Sequence, residues 1–184
     1  MLFGSTIAPL LERAPCDVTL VKNPSESPGN IVTLAGTGPH AATSARRAGE
    51  FRRAFADSTV TLLNVQSSPA EGGDEDTDEQ TPIDPKAIGR DTIAAVAEDA
   101  ELADDEYDAR VIVADDVRET LVDAVSEYDT VIVGATGTST VAQALYGSIP
   151  QRIVQQSDGT VVMARSEQCA PRTFRQALIQ RLER

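Results

Sequence analysis

Six short apolar runs recur along the chain with helical stretches between them, and this alternation limits the fold more than any other feature. The runs are DVTLV (17–21), NIVTLA (30–35), STVTLLNV (58–65), ARVIVA (109–114), DTVIVG (129–134) and TVVMAR (160–165). Most are continuous rather than alternating, the pattern of strands buried on both faces. Helical patterns span 39–56, 84–103, 116–127, 149–156 and 171–184. Strand, helix, strand, helix repeated in this way predicts an α/β fold with a doubly wound, five-stranded parallel sheet and helices on both faces, Rossmann-like in architecture. Ligands of such sheets bind outside the carboxyl ends of the strands, where the strand order reverses.

Composition fits that expectation. The 184 residues suit one ordinary domain with extra pieces. Apolar residues make up 41% but aromatics only 4%, and Trp is absent, so Val, Ile, Leu and Ala must build the core. The formal charge is -13, and only Lys22 and Lys86 among the 16 basic residues are lysines. An acidic, lysine-poor chain suits a salt-loving organism, a halophilic archaeon, where high salt screens carboxylate repulsion; ordinary acidity is the alternative. Either way the sign of the field argues against binding nucleic acid through phosphates.

Cys16 and Cys169 carry no metal-ligand spacing and read as two free thiols of a reducing compartment. No apolar run approaches the roughly 20 residues of a membrane span. The first residues lack a basic segment followed by an apolar stretch, so they do not read as a signal peptide. The expected location is cytoplasmic, including the soluble portion of a membrane protein.

Residues 66–86 are acidic and rich in Gly and Pro, and are expected to form a flexible loop. The DEDTDE within them lacks the glycine and terminal Glu spacing of an EF-hand. Asp116 and Glu119 form a D-x-x-E capping box, which gives them a structural role at a helix start. His40, the one histidine, reads as a first-turn helix residue.

The chain also repeats itself. LFGSTIAPLLERAPCDVTLVK from Leu2 aligns without a gap on LYGSIPQRIVQQSDGTVVMAR from Leu145. Gly4-Ser5 falls on Gly147-Ser148, Leu10-Leu11 on Ile153-Val154, Val18 on Val161 and Lys22 on Arg165. Residues 1–24 are therefore expected to be the terminal helix and strand of a preceding unit. Residues 29–166 would form the complete unit, and 167–184 a C-terminal amphipathic helix. The chain then reads as a piece of a longer tandem protein.

Gly134 ends an apolar run and is followed by Thr136, Gly137, Thr138, Ser139 and Thr140, with Gly147-Ser148 before the next helical pattern. A strand that runs into glycines and then a helix can hold an anion on backbone N–H groups. Spacing alone gives neither the P-loop nor GxGxxG. G-x2-G-x9-G-[S/T] after a strand resembles the nucleotide motif of the universal stress protein family, and Gly134, Gly137, Gly147 and Ser148 fit it at every position. The resemblance covers about 30–165, with 2–22 similar to the ending of such a unit.

The resemblance implies an adenine nucleotide alpha hydrolase-like fold and a set of site residues. Gly134, Thr136 and Gly137 would cradle ribose and phosphates, and Gly147, Ser148 and Ile149 would bind phosphates. Val65 would lie near adenine, and the loop of Ala35, Gly36 and Thr37 would floor the base. ATP-binding members usually carry an Asp in that loop, and here Gly36 stands at its place. The implied cofactor is ATP or AMP, with or without Mg²⁺. The implied partner is a second unit paired through the last strand, as a homodimer or as an intramolecular pseudo-dimer with strand 17–21, and a membrane transporter in the same polypeptide is one setting. With no HxGH or SGGxDS signature and no general base beside the site, the expectation is a regulatory domain and not an enzyme. A pairing module of the same fold that binds no nucleotide is the alternative.

Overall fold

A computed structural model describes residues 16–69, 84–134 and 159–165. Six strands and three helices lie within them: β1 (Val18–Lys22), β2 (Asn30–Leu34), α1 (Ala41–Ala54), β3 (Thr59–Ser67), α2 (Pro85–Asp99), β4 (Asp108–Ala114), α3 (Val117–Val125), β5 (Thr130–Gly134) and β6 (Thr160–Arg165). The sheet order is β1-β6-β5-β2-β3-β4. β2 to β6 are mutually parallel, as expected for a doubly wound sheet. The sheet has six strands and not five, because β1 adds antiparallel to the edge of β6 with Leu20 opposite Met163.

Alternate strand residues feed two core layers. On one face Ile31, Val60, Leu62, Ile132 and Val162 pack against Ala41, Ala45 and Ala48 of α1 and Ile93, Val96 and Ala97 of α2. On the other, Val32, Leu63, Val131, Val133 and Met163 pack against Ala124 and Val125 of α3. Alanine on the helix faces lets the backbones approach the sheet closely, which offsets the shortage of aromatic volume.

Local chemistry fixes most helix ends. The Asp116 side chain accepts from the backbone N–H groups of Arg118 and Glu119, both at 2.9 Å, which bears out the Asp116 half of the capping box at α3. Asp84 caps α2 by accepting from the Lys86 N–H, with Pro85 at the first helical position. α2 stops at Asp99, four residues before the end expected from the alanine pattern. Glu101 adopts a left-handed φ of 57°. The N–H of Leu102 donates to the Ala97 carbonyl and that of Glu101 to the Glu98 carbonyl. This doubled closure ends the helix and turns Leu102 back into the core. β3 runs two residues past the expected end, because Gln66 and Ser67 pair with Val113 and Ala114 of β4. Residues 70–83 of the expected loop lie outside the described residues, as do the helical patterns at 149–156 and 171–184.

The arginines of α1 reach into the connection between α2 and β4. Arg53 forms a two-pronged pair with Glu106 at 2.6 and 2.7 Å. Arg52 donates to the Asp105 carbonyl at 3.0 Å, and Arg46 lies 3.5 Å from the Asp99 carbonyl. The forked guanidinium satisfies carbonyls that a helix end leaves unpaired.

Candidate functional site

The strand order places the reversal point between β2 and β5. From β2 the chain moves through α1 to β3 and β4, and from β5 it moves the other way to β6. The carboxyl ends of β2 and β5 therefore open a crevice between diverging connections. Thr33 pairs with Ile132, so two residues further on Ala35 stands level with Gly134. Leu34 pairs with Leu63, which sets Ala35 beside Asn64 and Gly36 beside Val65. Five of the site residues expected from sequence thus gather at one sheet edge: Ala35, Gly36, Thr37, Val65 and Gly134. Thr136, Gly137, Gly147, Ser148 and Ile149 lie outside the described residues.

Ala35 and Gly134 are each held by contacts that can be named. Ala35 continues the ladder, its N–H donating to the Leu63 carbonyl at 2.9 Å. Its own carbonyl accepts from Asn64 Nδ2 at 2.6 Å in a buried setting. Asn64 Oδ1 in turn accepts from Gln66 Nε2 at 2.7 Å. This chain of amides pins the start of the 35–37 loop to β3. Thr37 is exposed and Val65 half-buried. A Cβ on Gly36 would meet no atom within 4 Å, and its φ lies outside the left-handed region. That position faces open space.

Gly134 is the opposite case. A Cβ there would lie 2.8 Å from the His40 carbonyl oxygen and 2.9 Å from the His40 Cβ. The absence of a side chain lets the start of α1 dock directly on the end of β5. This contact brings the N-terminal end of α1 and the 35–37 loop up to the strand end that opens the glycine motif. Gly134 thus serves close packing at least as directly as ligand approach.

His40 precedes the first residue of α1 and is 5% exposed. Burial is the first cause that lowers its pKa below the usual histidine value; the Arg165 charge lowers it further, and Asp17 opposes both. Burial and the Arg165 charge thus both favour the neutral imidazole. Its place at the helix start agrees with the structural role read from sequence. Arg165, at the end of β6, is 6% exposed and contributes positive charge to the same edge.

Sequence reading did not single out Asn64. The signal was present as one amide inside the apolar run of β3, where an unpartnered polar group is too costly to keep. The docking of His40 on Gly134 left no such signal. Among the described residues no group of three or more His, Cys, Asp or Glu is placed to hold a metal ion, and no helix is long and apolar enough to cross a membrane.

Comparison with known proteins follows the same outline. A universal stress protein solved in complex with cAMP superposes with a TM-score of 0.53 at 18% identity, covering 75% of this chain and 97% of that one. A universal stress protein from Archaeoglobus fulgidus DSM 4304 gives 0.54 at 13% identity, covering 85% of this chain. The present chain spans 52% of that protein's length. At these identities the likeness speaks for the fold. No curated protein sequence matches the chain. The family model described as the universal stress protein family matches residues 29–165, most of the chain, and so the chain belongs to that family.

Proposed function

We propose that the chain is a nucleotide-binding regulatory domain that takes ATP or AMP at the carboxyl edge of β2 and β5. The observation that carries this reading is the convergence of Ala35, Gly36, Thr37, Val65 and Gly134 at the reversal point of the sheet. The base would lie over the 35–37 loop beside Val65. Ribose and phosphates would extend past Gly134 toward Gly137 and Gly147-Ser148, whose N–H groups suit an anion. Mg²⁺ would travel with the triphosphate. The cAMP bound by the similar universal stress protein supports an adenine nucleotide. The role is regulatory: a nucleotide shifts an equilibrium only by its unequal affinity for two states.

The reading extends to setting. The charge of -13 and the scarcity of lysine suit a halophilic host, and a cytoplasmic location, alone or as the regulatory tail of a transporter, follows from the same domain type. In the partner reading, β1 supplies within the chain the antiparallel neighbour that a second unit would otherwise provide, a pseudo-dimer seam.

The test is to purify the chain in high salt with Mg²⁺, denature it, and identify released small molecules by mass spectrometry beside a Gly137→Val, Gly147→Val variant. Nucleotide released by the parent and absent from the variant is the expected result. A parent that releases none and takes up no added ATP, ADP or AMP would overturn the reading. Gly36, which leaves the base-floor loop without a carboxylate, favours a second reading in that event: a pairing module that retains the fold without the ligand.

A further inference from the structure

A groove runs between α1 and the side of β1 that faces it. Asp17 lies 3.9 Å from Arg47, and Val21 borders Phe51 and Phe55, so strand alternation puts Asp17, Thr19 and Val21 on that side. Arg47, Phe51 and Phe55 follow one another at four-residue spacing and form the facing wall. At the helical rise this wall is roughly 12 Å long. Its Phe55 end opens into an apolar hollow of about 210 Å³, closed by Pro24, Ser25 and Pro28. The closing segment is fixed in place. Thr160 Oγ1 donates to the Asn23 carbonyl at 2.6 Å, and Thr130 Oγ1 donates to the Pro28 carbonyl at 2.7 Å. Val21 is 45% and Phe55 40% exposed. A single exposed apolar side chain is ordinary; two that line one concave site mark a surface that another element covers.

The sequence beyond β6 matches this groove in three ways. The first is spacing. In 171–184, which lie outside the described residues, Phe174, Leu178 and Leu182 are also four apart, a stripe of roughly 12 Å on the helix read from sequence. The second is position. β6 ends at Arg165 opposite Val18, so the chain leaves the sheet at the Asp17 end of the groove. The link 166–170 can reach roughly 17 Å, more than enough to cross one strand spacing of about 4.8 Å. The third is charge. Arg172, Arg175, Arg181 and Arg184 against Glu183 give 171–184 a charge of +3 (4 − 1), which leaves −16 on the rest of the chain (−13 − 3). Exposed Glu26 and Asp57 stand next in sequence to Ser25 and close to Phe55, at the hollow end. A helix entering beside Asp17 carries Arg181 and Arg184 to that end.

We propose that the groove between α1 and β1 is the docking site of the chain's own basic segment 171–184. Phe174, Leu178 and Leu182 face the groove, with Leu182 over the hollow between Val21 and Phe55. Arg181 and Arg184 stand near Glu26 and Asp57. The contact is made within one chain and is independent of nucleotide binding.

The chain has no Trp, so Phe55→Trp sets a single indole in the hollow of the full-length protein. In high salt its emission is expected to be blue-shifted and weakly quenched by acrylamide. Adding Leu178→Asp and Leu182→Asp should shift the emission to the red and raise quenching several-fold. A second measurement leaves Phe55 in place. With Cys16→Ser and Cys169→Ser, Val21→Cys and Leu182→Cys should couple through a short thiol cross-linker to a product of monomer mass. Ile88→Cys, exposed on α2, should couple with Leu182→Cys many-fold more slowly. Emission and quenching that do not respond to the two aspartates would overturn the proposal. So would equal coupling rates for the two cysteine pairs. A coupled product of twice the monomer mass, or indole protection lost on dilution, would assign the groove to a second copy and overturn it as well.

Discussion

Gly36→Asp probes the candidate site most directly. A Cβ there meets nothing within 4 Å, and the backbone needs no left-handed φ, so the new side chain enters without moving a neighbour. Replacing glycine at a compatible position also lowers the entropy of the unfolded chain, a stabilisation of about 0.4–1 kcal/mol. The carboxylate would stand beside Val65, where the proposed reading sets the base. There it can accept from a ribose hydroxyl or a base N–H. A hydrogen bond to a charged group contributes about 1.5–3 kcal/mol. At about 1.4 kcal/mol per tenfold, Kd should tighten by roughly 10- to 150-fold. Isothermal titration with ATP, AMP and adenosine, in high salt, measures it. Gly36→Ala should leave affinity near that of the parent, and the gain should be similar for all three ligands because the contact is not to phosphate. A Kd for Gly36→Asp unchanged within about twofold, or a gain that grows with phosphate number, would refute the placement of the base over this loop.

Three further outcomes follow from contacts already described. Gly134→Ala forces a Cβ to within 2.8 Å of the His40 carbonyl and should destabilise by about 1–3 kcal/mol, read as a lower denaturation midpoint; an unchanged midpoint would show that α1 does not dock there. Asn64→Leu removes the donor to the buried Ala35 carbonyl and the acceptor for Gln66, and should cost about 1–3 kcal/mol in the same assay. Glu106 is held down to about 2 by its pairing with Arg53 and by the Ala103 N–H. Because the folded value is depressed, its contribution is full above about pH 4.5 and is lost as pH falls toward 2. Solvent screening keeps that contribution to about 1 kcal/mol or less, so Glu106→Gln should lower the midpoint slightly at pH 7 and converge with the parent near pH 2.

The strands were legible in the sequence because a parallel sheet demands apolar residues on both faces, and runs such as STVTLLNV and DTVIVG carry that demand locally. Helix starts were legible where the capping group lies within three residues of the groups it satisfies, as at Asp116. The end of α2 was not, because the left-handed turn falls on Glu101 and not on a glycine, and Leu102 is turned back by the core. The same limit applied at the site. The glycine pattern singled out Gly134 but gave no sign of its contact with His40, a residue 94 positions away by the numbering (134 − 40). Asn64 could be suspected from its apolar surroundings, but its partner, the Ala35 carbonyl, is a matter of register between β2 and β3. The sixth strand needed both kinds of information: its apolar run and the repeat marked 17–21 as strand-like, and only the ladder set Leu20 opposite Met163.

The arginines of α1 bear on how this protein can be moved between environments. Adapting an acidic chain to dilute buffer means neutralising surface carboxylates, and the exposed Asp57 and Asp104 can be changed without touching these contacts. Glu106, Arg46, Arg52 and Arg53 are another matter, since they clamp the connection that carries the chain from α2 into β4. Lysine keeps the charge but not the planar fork. A version redesigned for low ionic strength should therefore hold its arginines fixed and place its substitutions at the exposed acids.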